Sequence, residues 1–452
     1  HGIHPGGRSL ERQVQKYYAP RSKCDLASHP RALAAANEAV ASLCGRGELE
    51  FASSEVAGFA FENWAGCGWP FFVSSDITPI EYLHEAQRLE AANYPLEHAR
   101  TSPAQLQLRL QALGKGKLAK PRAVSGVCRR DNVAQKRLYL ALLRLQKSIC
   151  GFSALIGRSA VDLAVTRLLS CTSDQCPIIS LDYSSFDSSV HPQVIDHVFE
   201  LTRGWFQWPD HPLISYSKEV VQRSGILTPG NGYYPGAART GGVPSGCVLT
   251  NWLDSHVNLF VTTYAVNCVG GEILASEWQG DDGLILVRGV RHHTQLSRVL
   301  EDVFGMVLSP QKTVTSSDHC MFLQNIHSVH YEVDGLYPGV RPIMRVFGRM
   351  GSLEYKRRQE KWTPLMDALR CVQQLDDASA HPRFTDACRW ILQHDEDAVV
   401  EVVTRITNND RSVFDAMSSH LWNRGYKRKQ LEDLYGSPVV RRLNELILGK
   451  SV

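Results

Sequence analysis

Several things are missing from this chain, and each absence excludes something. No pair of its twelve cysteines has the Cys-x-x-Cys spacing of a zinc site. A chain of 452 residues has no need of disulfide staples, so free thiols in a reducing compartment are expected. No apolar run approaches the ~18 residues that a membrane-spanning helix needs. The formal net charge is only +3, so any surface for nucleic acid must be local. Internal repeats and low-complexity segments are absent, which argues against a solenoid or a disordered tail. The first residues, His1 to Gly7, contain neither an initiating Met nor a signal-peptide core, as expected of a processed or trimmed chain. His292-His293 lacks companion ligands nearby and reads as a solvated helix start rather than a metal site.

What remains is an ordinary globular composition, 43% hydrophobic and 21% charged, with length for two to three domain-sized units. Helical patterning is expected near Arg31–Leu43, over 102–113 and over 132–150. An aromatic patch from Phe59 to Phe72 could stack bases or fill a core. Ile178–Leu181 reads as a short buried strand, and Pro192 opens a helix to about Thr202. Helices are also expected at Thr250–Val261 and Thr294–Phe304, with a strand at Leu284–Val287. After Ser309 the strands shorten. Beyond residue 360 the pattern is mainly helical, at 363–374, 397–407 and 428–447, which suggests a separate C-terminal unit.

Three acidic, glycine-punctuated segments carry the chemistry. The first is Leu181-Asp182-Tyr183-Ser184-Ser185-Phe186-Asp187 and the last is Gln279-Gly280-Asp281-Asp282-Gly283. Asp182 ends an apolar strand, and Asp281-Asp282 follow a glycine at what reads as a β-hairpin tip. If the strands are neighbours, Asp182 and Asp281 can share two divalent cations, as two-metal phosphoryl transfer requires. Oxygen-only ligation suits Mg²⁺, with Mn²⁺ able to substitute. Taken singly, Gly-Asp-Asp is usually a surface turn, so the ordered set is what carries weight.

Between them, a glycine-rich loop from Asn231 to Gly242 leads through Pro244-Ser245-Gly246 into a helix. Such a loop can bring backbone amides close to phosphate or sugar. Thr250, Asp254 and Asn258 recur every four residues, so they share one face of that helix. This polar stripe in an apolar helix is either solvated or directed at something polar.

Asp182-x-x-x-x-Asp187, Ser245-Gly246-x-x-x-Thr250 and Gly280-Asp281-Asp282 resemble motifs A, B and C of viral RNA-dependent RNA polymerases. The Gly-Gly-Val-Pro-Ser-Gly run and Thr-x-x-x-Asp-Ser-x-x-Asn are most similar to those of partitiviruses and picobirnaviruses, small double-stranded RNA viruses. The resemblance implies that Asp182 and Asp281 bind metal with Asp282 as a secondary ligand. It implies that Asp187, Ser245, Gly246, Thr250 and Asn258 bind the nucleotide and read the ribose 2′-hydroxyl, which separates RNA from DNA precursors. Many positive-strand viral enzymes have Asn where this chain has Asp254. The basic loop Gly114–Arg130, with Lys115, Lys117, Lys120, Arg122, Arg129 and Arg130, is similar in position to motif F. Lys120, Arg122 and Arg130 would then hold the triphosphate. Gly305 to Thr313 is similar to motif D, whose Lys, here Lys312, protonates the departing pyrophosphate. Cys320 to Gln324 resembles the start of motif E, beside the primer.

The implied fold is α+β, of mixed helix and sheet: a right hand with fingers, an antiparallel palm sheet carrying the carboxylates, and a helical thumb. Residues 1–180 would be mainly fingers with an N-terminal extension. Residues 181–325 would be palm with an inserted finger segment at about 203–240, and residues 326–452 mainly thumb. The implied activity is RNA-directed RNA polymerisation from NTPs in replication and transcription of a viral genome, with pyrophosphate released. Template RNA, nascent RNA and a viral capsid protein are the expected partners, in host cytoplasm within or beside the virion. A reverse transcriptase is the near rival, but usually has Tyr where Gly280 stands. A non-catalytic RNA-binding or capsid-associated protein is the distant one, set against the repulsion among clustered carboxylates.

Overall fold

The computed structural model describes residues 11–60, 68–70, 81–111, 120–228, 232–351, 363–410, 412 and 434–449. The chain divides into two compact units. The first comprises His1–Leu108, Ala123–Leu323 and His327–Pro338, and the second Arg109–Arg122, Gln324–Ile326 and Gly339–Val452. Most of the aromatic patch, Lys115, Lys117 and the start of the 428–447 run lie outside the described residues.

Among the described residues the strands are β1 (Ala104–Gln111), β2 (Lys120–Gly126), β3 (Ile178–Leu181), β4 (Ile226–Thr228), β5 (Gly232–Tyr234), β6 (Glu272–Gln279), β7 (Asp282–Arg288), β8 (Val314–Ser316), β9 (His319–Phe322) and β10 (Asn325–Ser328). Among the described residues, β6, β7, β3 and β8 form one antiparallel sheet in that order. Its central strands are apolar on both faces, with Ile178, Ile179, Leu284, Ile285 and Val287 buried, as a sheet covered on both sides requires. On one side lies the long helix Thr250–Cys268, whose residues 252–266 are all buried. A helix buried nearly all round belongs in a core, where polar side chains such as those of Asp254, Ser255, His256 and Asn258 call for partners. Pro30–Ala41, Pro192–Arg203 and Thr294–Phe304 pack around it. The helices expected in these places are present, and the long one runs two turns further than its sequence pattern suggests.

A second sheet takes the order β2-β1-β4-β5, with β1 parallel to β4. Here two expectations need correction. Within the 102–113 segment, Ala104–Gln111 form a strand: Ala104, Leu106, Leu108 and Leu110 alternate with Gln105, Gln107, Arg109 and Gln111 in the sequence, a period of two. The glycine-rich stretch before Pro244 likewise contains β5 and the turn Gly236–Ala238 rather than open loop alone. A third correction concerns His293. It is buried, with its ring and its N–H both on the Thr315 hydroxyl, while His292 stays exposed.

The second unit is mainly helical, with Ile343–Gly351, Pro364–Asp376, Phe384–His394, Glu396–Thr407 and Pro438–Ile447 around Leu369, Val372, Leu375, Cys388, Val402, Val439 and Leu443. The buried Arg370 binds the Arg349 carbonyl at 2.8 Å and the Asp367 carboxylate at 2.9 Å. The Phe384–His394 helix was not expected from the sequence. All eleven cysteines among the described residues are free thiols.

Candidate active site

Strand register brings the outer acidic segments together. Leu181 pairs with Gly283 across β3 and β7, so the next step along the same register sets Asp182 opposite Asp282. Gln279 pairs with Asp282 across β6 and β7, which leaves Gly280 and Asp281 as a two-residue hairpin turn. Gly280 has φ +62°, in the left-handed region that glycine enters without penalty.

Charge concentrates at this rim. Burial, then the negative charges of Asp281 and Asp182, push the Asp282 carboxyl up to about 7, and Lys312 opposes them. Lys312 sits within a turn closed by Thr313 N–H on the Ser309 carbonyl at 2.9 Å. Its Nζ lies 3.1 Å and 3.3 Å from the two oxygens of Asp182. Ser309 N–H donates to the Asp182 carbonyl at 2.7 Å, so this turn and the end of β3 are one local structure.

Behind the rim sits a second acidic pair. Asp254 is buried, and its carboxyl is hydrogen-bonded to that of Asp187. Burial raises its pKa well above the usual carboxylate range, and the charges of Asp187 and Asp281 raise it further. Burial thus favours the neutral form of Asp254, which has one donor and one acceptor, as an Asn amide would offer. Its Oδ1 is buried without a hydrogen-bond partner.

The structure reassigns Asn258. Its Nδ2 donates to the carbonyls of Gly280 at 3.2 Å and Asp281 at 3.0 Å, and its Oδ1 accepts from Thr262 at 3.1 Å. Through these bonds its amide anchors the turn. Ser255 assists by accepting Gly280 N–H at 2.8 Å.

The middle segment is organised around β2. Ser245 Oγ accepts Ser125 N–H at 3.3 Å, and Asn132 accepts Val248 N–H at 3.0 Å. Thr250 Oγ1 lies 2.7 Å from the carbonyls of both Pro244 and Cys247, closing the loop onto the helix. A Cβ on Gly246 would stand 2.2 Å from the Ser125 carbonyl oxygen, so glycine alone fits. The Arg130 guanidinium is largely buried on Asp131 at 2.9 Å, and Tyr216 and Ser102 also bind that carboxylate. That contact with Asp131 engages Nε of the Arg130 guanidinium. Lys120 and Arg122 begin β2, with the Arg122 side chain exposed. A cavity of about 1080 Å³ lined by Phe152, Leu163, Leu168, Thr263 and Trp278 includes none of the aspartates.

Could the rim hold divalent cations? Among the described residues no three Asp, Glu, His or Cys side chains converge into a ready-made cage. The donor chemistry nevertheless suits a hard cation: the carboxylates are mutually repulsive, and an ammonium already sits on Asp182.

Paired strands that carry aspartates at their rim, backed by a buried polar helix, are the architecture of a right-hand polymerase palm, the class to which the fold assigns this chain. A family model described as viral RNA-dependent RNA polymerase matches residues 142–435. The chain belongs to that family. It is 22% identical over 269 residues to a potential RNA-dependent RNA polymerase of human picobirnavirus, covering 57% of this chain and 48% of that protein. The chain thus spans about half the length of this curated relative. The crystal structure of a human picobirnavirus RNA-dependent RNA polymerase superposes with a TM-score of 0.78 at 18% identity, covering 97% of this chain and 84% of that one. Its insertion-loop deletion mutant gives 0.78 at 17%, covering 97% and 83%.

Proposed function

We propose that this chain is an RNA-directed RNA polymerase that replicates and transcribes a viral RNA genome from NTPs. The observation that carries the reading is the β3–β7 register, which sets Asp182 against the Gly280–Asp282 turn with the Asp187–Asp254 pair behind it. In the reaction the 3′-hydroxyl oxygen of the nascent strand bonds to the α-phosphorus of the NTP. The bond from that phosphorus to the bridging oxygen breaks, and pyrophosphate leaves with its electron pair.

Asp182 and Asp281 would hold Mg²⁺, or Mn²⁺ in its place, with Asp282 as a further ligand. Bound there, the cation supplies charge neutralisation for the triphosphate and eases deprotonation of the attacking hydroxyl. Lys312, whose Nζ is on the Asp182 carboxylate, would turn to the leaving pyrophosphate and give it a proton. Asp187 and Asp254 face the sugar, where a hydrogen-bonded acid pair can both donate to and accept from a 2′-hydroxyl. Ser245, Gly246 and Thr250 shape the loop against which the nucleotide lies. Lys120, Arg122 and Arg130 are the candidates for triphosphate contact. In this reading residues 1–180 are mainly fingers, 181–325 palm with the 203–240 finger insertion, and 326–452 mainly thumb. Template and nascent RNA are the partners, a capsid protein is a further one, and the host cytoplasm is the place of action.

The test is labelled-NTP incorporation by the purified chain on single-stranded RNA with Mg²⁺ or Mn²⁺, beside Asp281→Asn. Template-length product from wild type alone supports the reading. RNA binding without product, with and without primer and capsid protein, would instead indicate the non-catalytic RNA-binding alternative.

A further inference from the structure

Residues 13–24 belong to none of the three acidic segments, yet they touch two of them. Val14 is buried with Leu106 and Ile226, and Gln13 accepts Ala123 N–H at 3.0 Å, which seats this stretch on the second sheet. From there the chain crosses to the turn that bears Asp187. Lys16 Nζ donates to Ser185 Oγ at 2.7 Å. Ser185 has φ +63°, a left-handed conformation that costs a non-glycine residue about 1–2 kcal/mol and persists only where neighbours hold it. Arg21 donates to the carbonyls of Ser188 at 2.6 Å and Ser189 at 2.7 Å, at the end of the helical turn Phe186–Ser189.

The same stretch grips the approach to the middle segment. Thr240 N–H donates to the Tyr17 carbonyl at 2.9 Å, and Tyr17 hydroxyl to the Val243 carbonyl at 3.3 Å. The Tyr17 ring fills the space a side chain at Gly242 would need, since a Cβ there would lie 2.6 Å from it. Arg239, buried, lies over that ring at 5.4 Å and donates to the Gly242 carbonyl at 2.8 Å. Val243 N–H in turn donates to the Asp187 carbonyl at 2.7 Å, which joins the two gripped segments.

We infer that Lys16–Arg21 form a strap that positions Asp187 against the Gly241–Ser245 loop and so sets the preference for ribose over deoxyribose. The inference rests on the polymerase reading and assigns this part of the N-terminal region a role. Arg21 and Tyr17 are positioning residues, since both act through Asp187 and the loop. A strap with a purely structural role would, when cut, slow incorporation of both sugars alike.

The experiment uses the full chain and compares wild type, Arg21→Ala and Arg21→Lys. Single-nucleotide kcat/KM is measured for ATP and dATP on a primed RNA template, with hydrogen exchange over 184–190 alongside. In Arg21→Ala the ATP-to-dATP ratio is expected to fall about tenfold, chiefly through ATP, with faster exchange at 186–190. Arg21→Lys should recover part of the ratio, because an ammonium still reaches a carbonyl. An unchanged ratio, or equal loss for both sugars, overturns the inference. If Arg21→Ala shows no melting transition, Lys16→Met replaces it, with a smaller fall expected and an unchanged ratio again decisive against. Wild type that incorporates neither sugar would sink the polymerase reading itself. Exchange in Arg21→Ala then judges the strap separately, and no acceleration at 184–190 removes it.

Discussion

The carboxyl of Asp254 is hydrogen-bonded to the carboxyl of Asp187, and burial together with the Asp187 charge favours the neutral form of Asp254. Because the neutral form of Asp254 is the favoured one, Asp254→Asn preserves a donor and an acceptor and is expected to retain ATP incorporation within about threefold. Asp254→Leu removes both and should cost at least tenfold, on the scale of one hydrogen bond to a charged group. Steady-state kcat/KM for the two variants checks this, and equal losses would count against the neutral-acid account.

Asp281→Asn keeps the shape of the hairpin turn but removes a charge from the rim. Incorporation is expected to fall by about 10³-fold or more, the scale of losing a principal electrostatic group. Affinity for single-stranded RNA should stay unchanged in a filter-binding assay. Product from the variant at the wild-type rate would mean that another carboxylate carries the chemistry.

Asn258→Leu should act differently, because Asn258 holds the turn from behind. Two carbonyls lose their donor, one of them on the buried Gly280, so stability is expected to drop by about 1–3 kcal/mol. The ribose preference of the surviving enzyme should stay where it was. Denaturant unfolding and the ATP-to-dATP ratio together separate anchoring from sugar reading.

The pH dependence of stability follows from Asp282. Its folded pKa of about 7 lies above the ordinary 3.8, so between these values the folded chain keeps a proton that the unfolded chain has released. Stability attributable to this group therefore falls as pH rises from about 4 to about 7 and levels off above. Melting curves of wild type and Asp282→Asn should diverge over that window, with wild type losing ground. Millimolar Mg²⁺ should restore wild type more at pH 8 than at pH 5.

The ordered motifs made the palm legible from sequence because they combine two strong local signals: apolar runs and the glycine or aspartate that ends them. Ile178–Leu181, Thr294–Phe304 and the hairpin turn could be read from those signals alone. The segment 102–113 misled, since leucines on alternate residues also satisfy part of a helical count in a short window. Asn258 misled for a different reason. Its spacing from Thr250 and Asp254 is right, but spacing does not tell which end of a stripe meets solvent and which meets a backbone turn. Arg130 resembled a free cation until Asp131, its immediate neighbour, proved to be its partner. The contacts of Lys16, Tyr17 and Arg21 had no local signal at all, because their partners lie about 170 to 230 residues away.

The close seat of Gly246 on the Ser125 carbonyl bears on how this chain could change over generations of copying. Any side chain there collides with backbone rather than with another side chain, so a second substitution cannot readily relieve the first. A compound resting on the surface beside Gly246 would press on a position closed to escape by replacement. Resistance would have to arise elsewhere.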